Sequence, residues 1–250
     1  MAANTIIFGG SGKVARHLTR LLANEGHNVY SVIRKPEQQE DVKSLGGKPV
    51  LQSIEEASVD DMVKTIQDTK ASTVVWAAGA GAGNADRTKA VDQEGAIRSM
   101  DATSKAGVKR YIIVSAVDVR DRENKPEPEW YHDGDRERSN KTWDAIGPYM
   151  HAKFAADRSL VTENDRRGLE YTIVRPGGLS QDPGTGKVAA GKPHITVTVP
   201  REDVASVVVE CIKNESTKGL VFDLVGGETP IKDAIADVVK EKTNTFEGRY

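Results

Sequence analysis

Short apolar runs at residues 5–8, 28–34, 49–52, 72–78, 110–115, 170–175 and 220–225 punctuate the chain. Most lack the alternation of a strand with one wet face, the pattern of strands covered by helices on both faces of a parallel sheet. Between the runs, apolar residues recur at helical spacing. Val14, Leu18, Leu21 and Leu22 mark a first helix that Gly26 should end, and further helices are predicted at 59–69, 86–106, 148–163, 201–214 and 231–240. This alternation predicts a doubly wound α/β fold: one mostly parallel sheet of strand order 3-2-1-4-5-6-7, right-handed crossovers, and helices on both faces. Residues 120–141 break the rhythm. They are charged, carry Pro126, Pro128 and Gly134, and read as a long loop, either a lid or binding loop or a solvated excursion.

Composition narrows the partners. With 250 residues, 38% of them apolar, the chain can bury one large core, and neither a linker nor an internal repeat divides it. Lys and Arg total 35 against 37 Asp and Glu, so no global field draws the protein to nucleic acid or to an acidic membrane. Cys211, the only cysteine, excludes an internal disulfide and reads as a packed, inert thiol. No apolar run approaches the roughly 18 residues of a membrane span, and the opening residues show neither the basic nor the apolar region of a secretion signal. The expectation is a soluble cytoplasmic protein, monomer or homodimer, with a small-molecule partner. His17, His27, His132, His151 and His194 show no ligand spacing, so structural roles and no metal are expected.

The candidate chemistry begins directly after the first strand, where the chain reads Gly9-Gly10-Ser11-Gly12-Lys13-Val14-Ala15. A glycine turn at the carboxyl end of a buried strand lets the backbone approach a pyrophosphate, and the following helix aims its free N–H groups at the anion. The second strand ends Ile33-Arg34-Lys35, where an acidic residue would hydrogen-bond the adenosine ribose hydroxyls of NAD. A guanidinium there can instead grip a 2′-phosphate through two charge-assisted bonds, which points to NADP(H), with Arg34 as clamp and Lys35 or Lys13 assisting. The small residues Ala77, Ala78 and Gly79 end the fourth strand where a backbone must pass close to the cofactor, and the run 79–83 either extends that contact or is a flexible loop.

Tyr149 and Lys153 stand four apart after Gly147 and Pro148, so proline sits in a first helical turn and both side chains share a face. A neighbouring ammonium favours the phenolate and should bring the phenol towards a working range. Ser115, at the end of the fifth strand, would lie beside the same crevice and could hydrogen-bond a substrate carbonyl.

The glycine turn, Ser115, the Tyr149/Lys153 pair and the segment 172–179 together resemble the short-chain dehydrogenase/reductase superfamily. More narrowly, the chain is similar to its atypical NAD(P)-binding members, the flavin/biliverdin-reductase-like, Tic62-like and NmrA-like group; the similarity includes 200–205 and 226–231 and covers nearly the whole chain. The resemblance implies a single NAD(P)-binding Rossmann domain over residues 1–250 with a small C-terminal portion on the substrate side. It implies Gly9, Ser11, Gly12, Lys13 and Val14 at the pyrophosphate, Arg34 at the adenosine phosphate, and Ala78 and Gly79 along the ribose. Lys153 would hold the nicotinamide ribose, Pro176, Gly177, Gly178 and Leu179 would lie beside the nicotinamide, and Tyr149 would be the general acid. The implied activity is NADPH-dependent reduction of a carbonyl or quinone-like small molecule. The alternatives are an NADPH-sensing regulator or scaffold, and an epimerase or dehydratase with retained cofactor. Two departures stand out. Where the family often has an acidic residue after the third strand, this chain has Gln52, Ser53 and Ile54, and the long 120–141 stretch leaves Trp130, Tyr131 and Trp143 without a role. Residues 241–250 either build the pocket or fray.

Overall fold

The computed structural model describes residues 3–81 and 84–250. β1 (Asn4–Phe8), α1 (Lys13–Asn24) and β2 (Asn28–Ile33) form the first β-α-β unit, its strands parallel with Thr5 opposite Val29. α2 (Gln39–Ser44) leads to the edge strand β3 (Lys48–Leu51). α3 (Val59–Asp68) begins at a reciprocal Ser58/Asp61 cap and leads to β4 (Thr73–Trp76). α4 (Ala85–Thr88), a wide π-helical turn (Lys89–Gly95) and α5 (Ala96–Lys105) precede β5 (Arg110–Val114). Then come α6 (Asp133–Thr162), α7 (Asn164–Arg167), β6 (Glu170–Pro176), β7 (Leu179–Ser180), β8 (Lys187–Gly191), β9 (Val199–Pro200) and α8 (Arg201–Lys213). The described chain closes with β10 (Val221–Gly226), β11 (Thr229–Pro230), α9 (Ile231–Lys240) and a docked C-terminal segment.

The main sheet runs β3-β2-β1-β4-β5-β6-β10-β8-β11. Its seven parallel strands keep the predicted order, so the fold is the doubly wound Rossmann type, and β8 and β11 add an antiparallel edge that the sequence pattern did not reveal. Side chains alternate between two cores, because successive residues of a strand face opposite sides. Ile7, Val75 and Ile112 pack with Leu18, Leu22, Val204, Val208 and Ile235 beneath α1, α8 and α9. Ile6, Phe8, Val74, Trp76, Tyr111 and Ile113 pack with Met62, Ile66, Met100 and Leu160 beneath α3, α5 and α6. Strands buried on both faces explain the near-continuous apolar runs. Cys211 lies wholly inside the first core, its thiol pushed up to about 12 by burial, as expected of an inert packing residue.

Two local expectations need correction, and one open alternative is decided. The expected loop at 120–141 ends at residue 132, because α6 starts at Asp133: the His132 ring accepts from the Asp135 amide while the Asp135 carboxylate accepts from the His132 amide. The helix breaks at Ile146 (φ −134°, ψ 32°), so Pro148 still opens a helical segment, the one that carries Tyr149 and Lys153. The expected helix at 86–106 is divided by the π turn at 89–95, an i→i+5 insertion of the kind found at functional sites. Residues 241–250 do not fray: the Thr245 amide bonds the Val221 carbonyl at 2.9 Å, Phe246 is fully buried, and the Asp121 amide bonds the Arg249 carbonyl at 2.9 Å.

Candidate active site

The turn between β1 and α1 requires glycine. Gly9 has φ +84°, and a Cβ there would lie 2.5 Å from the Ala78 Cα; one on Gly10 would lie 2.6 Å from the Ser31 Cβ. The turn thus lies flat on the ends of β4 and β2, held by the Gly10 amide on the Val32 carbonyl at 2.8 Å. Gly12 is the N-cap of α1. No side chain caps the helix and its first turn holds no acid, so amides and the positive end of the helix dipole face outward where an anion can meet them. That cradle fits the doubly charged bridge of a dinucleotide.

Two cavities meet over the carboxyl ends of the strands. The smaller, of about 130 Å³, is lined by Gly9, Ser11, Gly12, Arg34, Gln52, Glu55 and Arg87. The larger, of about 680 Å³, takes in Lys13, Val14, Ser115, Tyr149, Lys153 and Pro176, Gly177, Gly178 and Leu179, and the two share Ala77, Ala78 and Gly79. Every residue expected at the site therefore lines one groove, with the exception of Lys35, whose Nζ lies out in solvent 3.6 Å from Glu37. The run 79–83 is described only as far as Gly81; Ala82 and Gly83 lie outside the described residues.

At the small end, Arg34 Nη1 bonds Glu55 Oε1 at 2.6 Å and Arg87 Nε bonds the same oxygen at 3.1 Å. Two guanidiniums thus converge on one carboxylate. Glu55, one position beyond Gln52, Ser53 and Ile54, thus brings an acid to this end of the groove.

At the large end, Tyr149, Lys153 and Asp157 follow one another at four-residue steps along α6. Lys153 is buried and its ammonium lies 3.1 Å from the Asp92 carboxylate, with the carbonyls of Ala78 and Val114 each at 3.3 Å. Burial opposes the charge of Lys153, but Asp92, aided by Tyr149 and Asp157, outweighs it and holds the ammonium above its ordinary pKa. Asp92 is delivered by the π turn, and its other oxygen accepts from the Ala80 amide at 2.9 Å. Sequence reasoning missed it, since a single acid inside a helical stretch carries no signal of its own.

The phenol behaves otherwise than the sequence suggested. Burial raises the pKa of Tyr149, and the nearby Lys153 only partly counters this while Asp92 and Asp157 add to the rise. Tyr149 is therefore fully protonated at neutral pH, the form a proton donor must have. The Lys153 ammonium sits 5.7 Å from the centre of the Tyr149 ring, against its face. Ser115 is also engaged: its hydroxyl donates to Asp157 at 2.7 Å, and burial pushes that carboxyl up to about 6. With Asp157 ionised, Ser115 offers the cavity an acceptor. Donation to a substrate carbonyl, as expected from sequence, requires Asp157 to carry the proton.

Residues 9–215 match the model of a family described as NAD(P)H-binding. The chain belongs to this family. Within it, the UPF0659 protein C216.03 of Schizosaccharomyces pombe is 38% identical over 242 residues, covering 96% of this chain and 97% of that protein. A Bacillus subtilis protein named as an uncharacterized sugar epimerase, YhfK, is 33% identical over 231 residues, 92% and 97% of the two chains. Among solved structures, the oxidoreductase ylbE of Lactococcus lactis superposes with a TM-score of 0.78 at 26% identity, covering 95% of this chain and 97% of that one. This NAD(P)H-binding protein is thus an atypical short-chain dehydrogenase/reductase, of a family whose members are NAD(P)-linked oxidoreductases and epimerases.

Other side-chain clusters surround the groove, and the histidines expected to lack ligand spacing come together in one of them: His132 and His194 join Asp135 in a group whose ligand atoms lie within 4.8 Å of one another. His132 and His194, far apart in sequence, stack with centroids 4.0 Å apart and both turn Nδ1 to the buried Asp135, whose second oxygen accepts from the Ile195 amide at 2.7 Å. The two rings thus meet on one buried carboxylate, which joins the start of α6 to the segment before β9. Trp143 is buried with its Nε1 on Asp118 at 3.0 Å, and His151 packs edge-on against it, away from the groove. No helix among the described residues is long and apolar enough to cross a membrane.

Proposed function

We propose that this protein is a cytoplasmic NADPH-dependent oxidoreductase that reduces a carbonyl or quinone-like small molecule, with Tyr149 as general acid. The observation that carries the reading is the continuity of the groove: an anion cradle at Gly9–Gly12, a guanidinium pair at one end, and a protonated phenol backed by a buried ammonium at the other. Gly9, Ser11, Gly12, Lys13 and Val14 would hold the pyrophosphate. Arg34, with Arg87, would hold the 2′-phosphate, and Ala78 and Gly79 would line the ribose. The bound nicotinamide supplies a hydride; residues 176–179 flank the place for its ring. Tyr149 gives its proton to the substrate oxygen. Lys153 keeps a positive charge beneath the phenol as that proton leaves, and Asp92 fixes the ammonium in place.

The test compares wild type with Tyr149→Phe in NADPH oxidation against a panel of carbonyls and quinones. The variant should lose about 10²- to 10⁴-fold in kcat/KM, the usual scale of general acid catalysis, while NADPH affinity stays within about twofold. Absence of NADPH consumption by either protein, on the panel and on cell extract, would remove the enzyme reading. The similarity to a protein named as a sugar epimerase favours a second form of the same chemistry, in which the substrate is oxidised and then reduced again. Nucleotide that stays bound through purification and appears only on acid denaturation would select that form.

A further inference from the structure

The charges around the large cavity are unequal. Lys13, Arg138, Lys141, Lys153 and Arg201 all line it, Lys153 being paired with Asp92, and Asp118 is the one carboxylate in its lining among the described residues. Asp118 is buried and spent: it takes Arg120 Nε at 2.8 Å, the Ser139 hydroxyl at 2.5 Å and Trp143 Nε1 at 3.0 Å. On the cationic side, Lys141 is paired with Glu137 at 2.6 Å and Lys13 lies in the first turn of α1, beside the phosphate cradle. Arg138 and Arg201 remain, neither within ion-pair distance of a carboxylate among the described residues. They flank the short strand β7 from different elements. Arg201, first residue of α8, donates to the Ser180 carbonyl at 2.7 Å, and a Cβ on Gly178 would lie 3.0 Å from Arg138 Nη2. Ile146 and Leu179, partly exposed on the cavity wall, give it an apolar side.

Resting on the proposed reductase reading, we propose that Arg138 and Arg201 form an oxyanion subsite, and that the substrate is a carbonyl compound bearing a carboxylate or phosphate group at one end. The apolar wall takes its uncharged body, and its carbonyl end faces Tyr149. Two guanidiniums with no resident counter-charge recognise an oxyanion through charge-assisted bonds.

The experiment uses four probes: 4-carboxybenzaldehyde and its methyl ester, and 4-formylphenyl phosphate and 4-methoxybenzaldehyde. Binding to the protein saturated with NADP⁺ is read by calorimetry, so no turnover is needed. The charged member of at least one pair should bind at least about tenfold more tightly, and which pair responds distinguishes carboxylate from phosphate. Arg138→Gln and Arg201→Gln should each weaken that charged probe by about five- to tenfold, leaving its neutral partner and the NADPH affinity unchanged. Equal or undetectable binding of charged and neutral members overturns the proposal in the wild type alone, whatever the variants do. Loss of NADPH affinity in either variant also overturns it, by assigning the arginines to the coenzyme. Failure of the wild type to bind any nicotinamide coenzyme is a different result: it removes the reductase reading, and the same four titrations on the free protein still decide the subsite.

Discussion

Each end of the groove carries an ion pair, and the two behave oppositely. At the nucleotide end Arg34 and Glu55 meet at 2.6 Å with side chains 45% and 26% exposed; at the substrate end Lys153 and Asp92 meet at 3.1 Å with 3% and 0%. Distance alone would rank the first pair as stronger. Water reverses the ranking, because an exposed pair trades one set of solvated charges for another, while neither member of a buried pair can be removed without stranding its partner. The exposed pair can therefore open to a ligand, and the buried one serves as fixed framework.

The sharpest way to break this contrast is to remove half of the buried pair. Asp92→Asn should cost about 3–5 kcal/mol of stability by leaving the Lys153 ammonium without a counter-charge, measured from urea midpoints. The double variant Asp92→Asn/Lys153→Met should recover much of that loss, since it removes both charges. A single-variant loss below about 1 kcal/mol would show that water reaches the pair and that it resembles its exposed counterpart.

Next in size is the glycine turn, where the nucleotide end is rigid in its backbone though mobile in its side chains. Gly9→Ala places a Cβ 2.5 Å from the Ala78 Cα at φ +84° and should cost roughly 2–4 kcal/mol together with coenzyme binding. Gly26 has the same φ of +84° with nothing within 4 Å, so Gly26→Ala should cost only the conformational part, about 1–2 kcal/mol. Equal losses at the two positions would mean that backbone conformation, and not the close approach to β4, makes Gly9 necessary.

Smaller again is the response of the substrate end to pH. Burial raises Asp157 and Asp223 each to about 6, the attraction of Arg175 countering only part of it. A carboxyl raised on folding binds its proton more tightly in the native state, so the unfolded chain holds fewer protons between pH 4 and 6 and stability falls as pH rises through that window. Asp157→Asn should remove its share of the slope, roughly 2 kcal/mol between pH 4 and 7 in urea titrations. Carboxylates held low by hydrogen bonds, such as Asp61 and Glu163, act in the opposite direction at more acid pH and are common to both proteins. An unchanged slope would show that Asp157 is hydrated in solution.

The same contrast decides what could be read from the sequence. The nucleotide cradle is one contiguous segment whose geometry depends on missing side chains, so Gly9–Gly12 announce it directly. The seven parallel strands were equally plain, because burial on both faces leaves uninterrupted apolar runs. Strands β8 and β11 were not, since Lys187–Gly191 is short and built largely from small residues. At the substrate end Tyr149, Lys153 and Ser115 could be named, but their chemistry could not: Asp92 and Asp157, which set the charge of that wall, arrive from a π turn and from a later step of α6. The first half of α6, with Arg138, reads as loop in sequence because its stretch is charged and opens on a histidine cap.

The smallest effect is also the most specific to the exposed pair. Glu55 bonds both Arg34 and Arg87, and on the proposed reading its carboxylate competes with a 2′-phosphate for those guanidiniums. NADPH must displace it, and NADH need not, so Glu55→Gln should tighten NADPH by about three- to tenfold while leaving NADH nearly unchanged. The change in stability should stay below about 0.5 kcal/mol, as for other exposed pairs. Added salt screens exposed charges over about 8–10 Å, so the gain in NADPH affinity should shrink as ionic strength rises. Arg34→Ala should act in reverse, weakening NADPH alone. Parallel gains for both coenzymes would mean that Glu55 repels the pyrophosphate from a distance, and an unchanged pair of affinities would mean that the two arginines keep their carboxylate when the groove is filled.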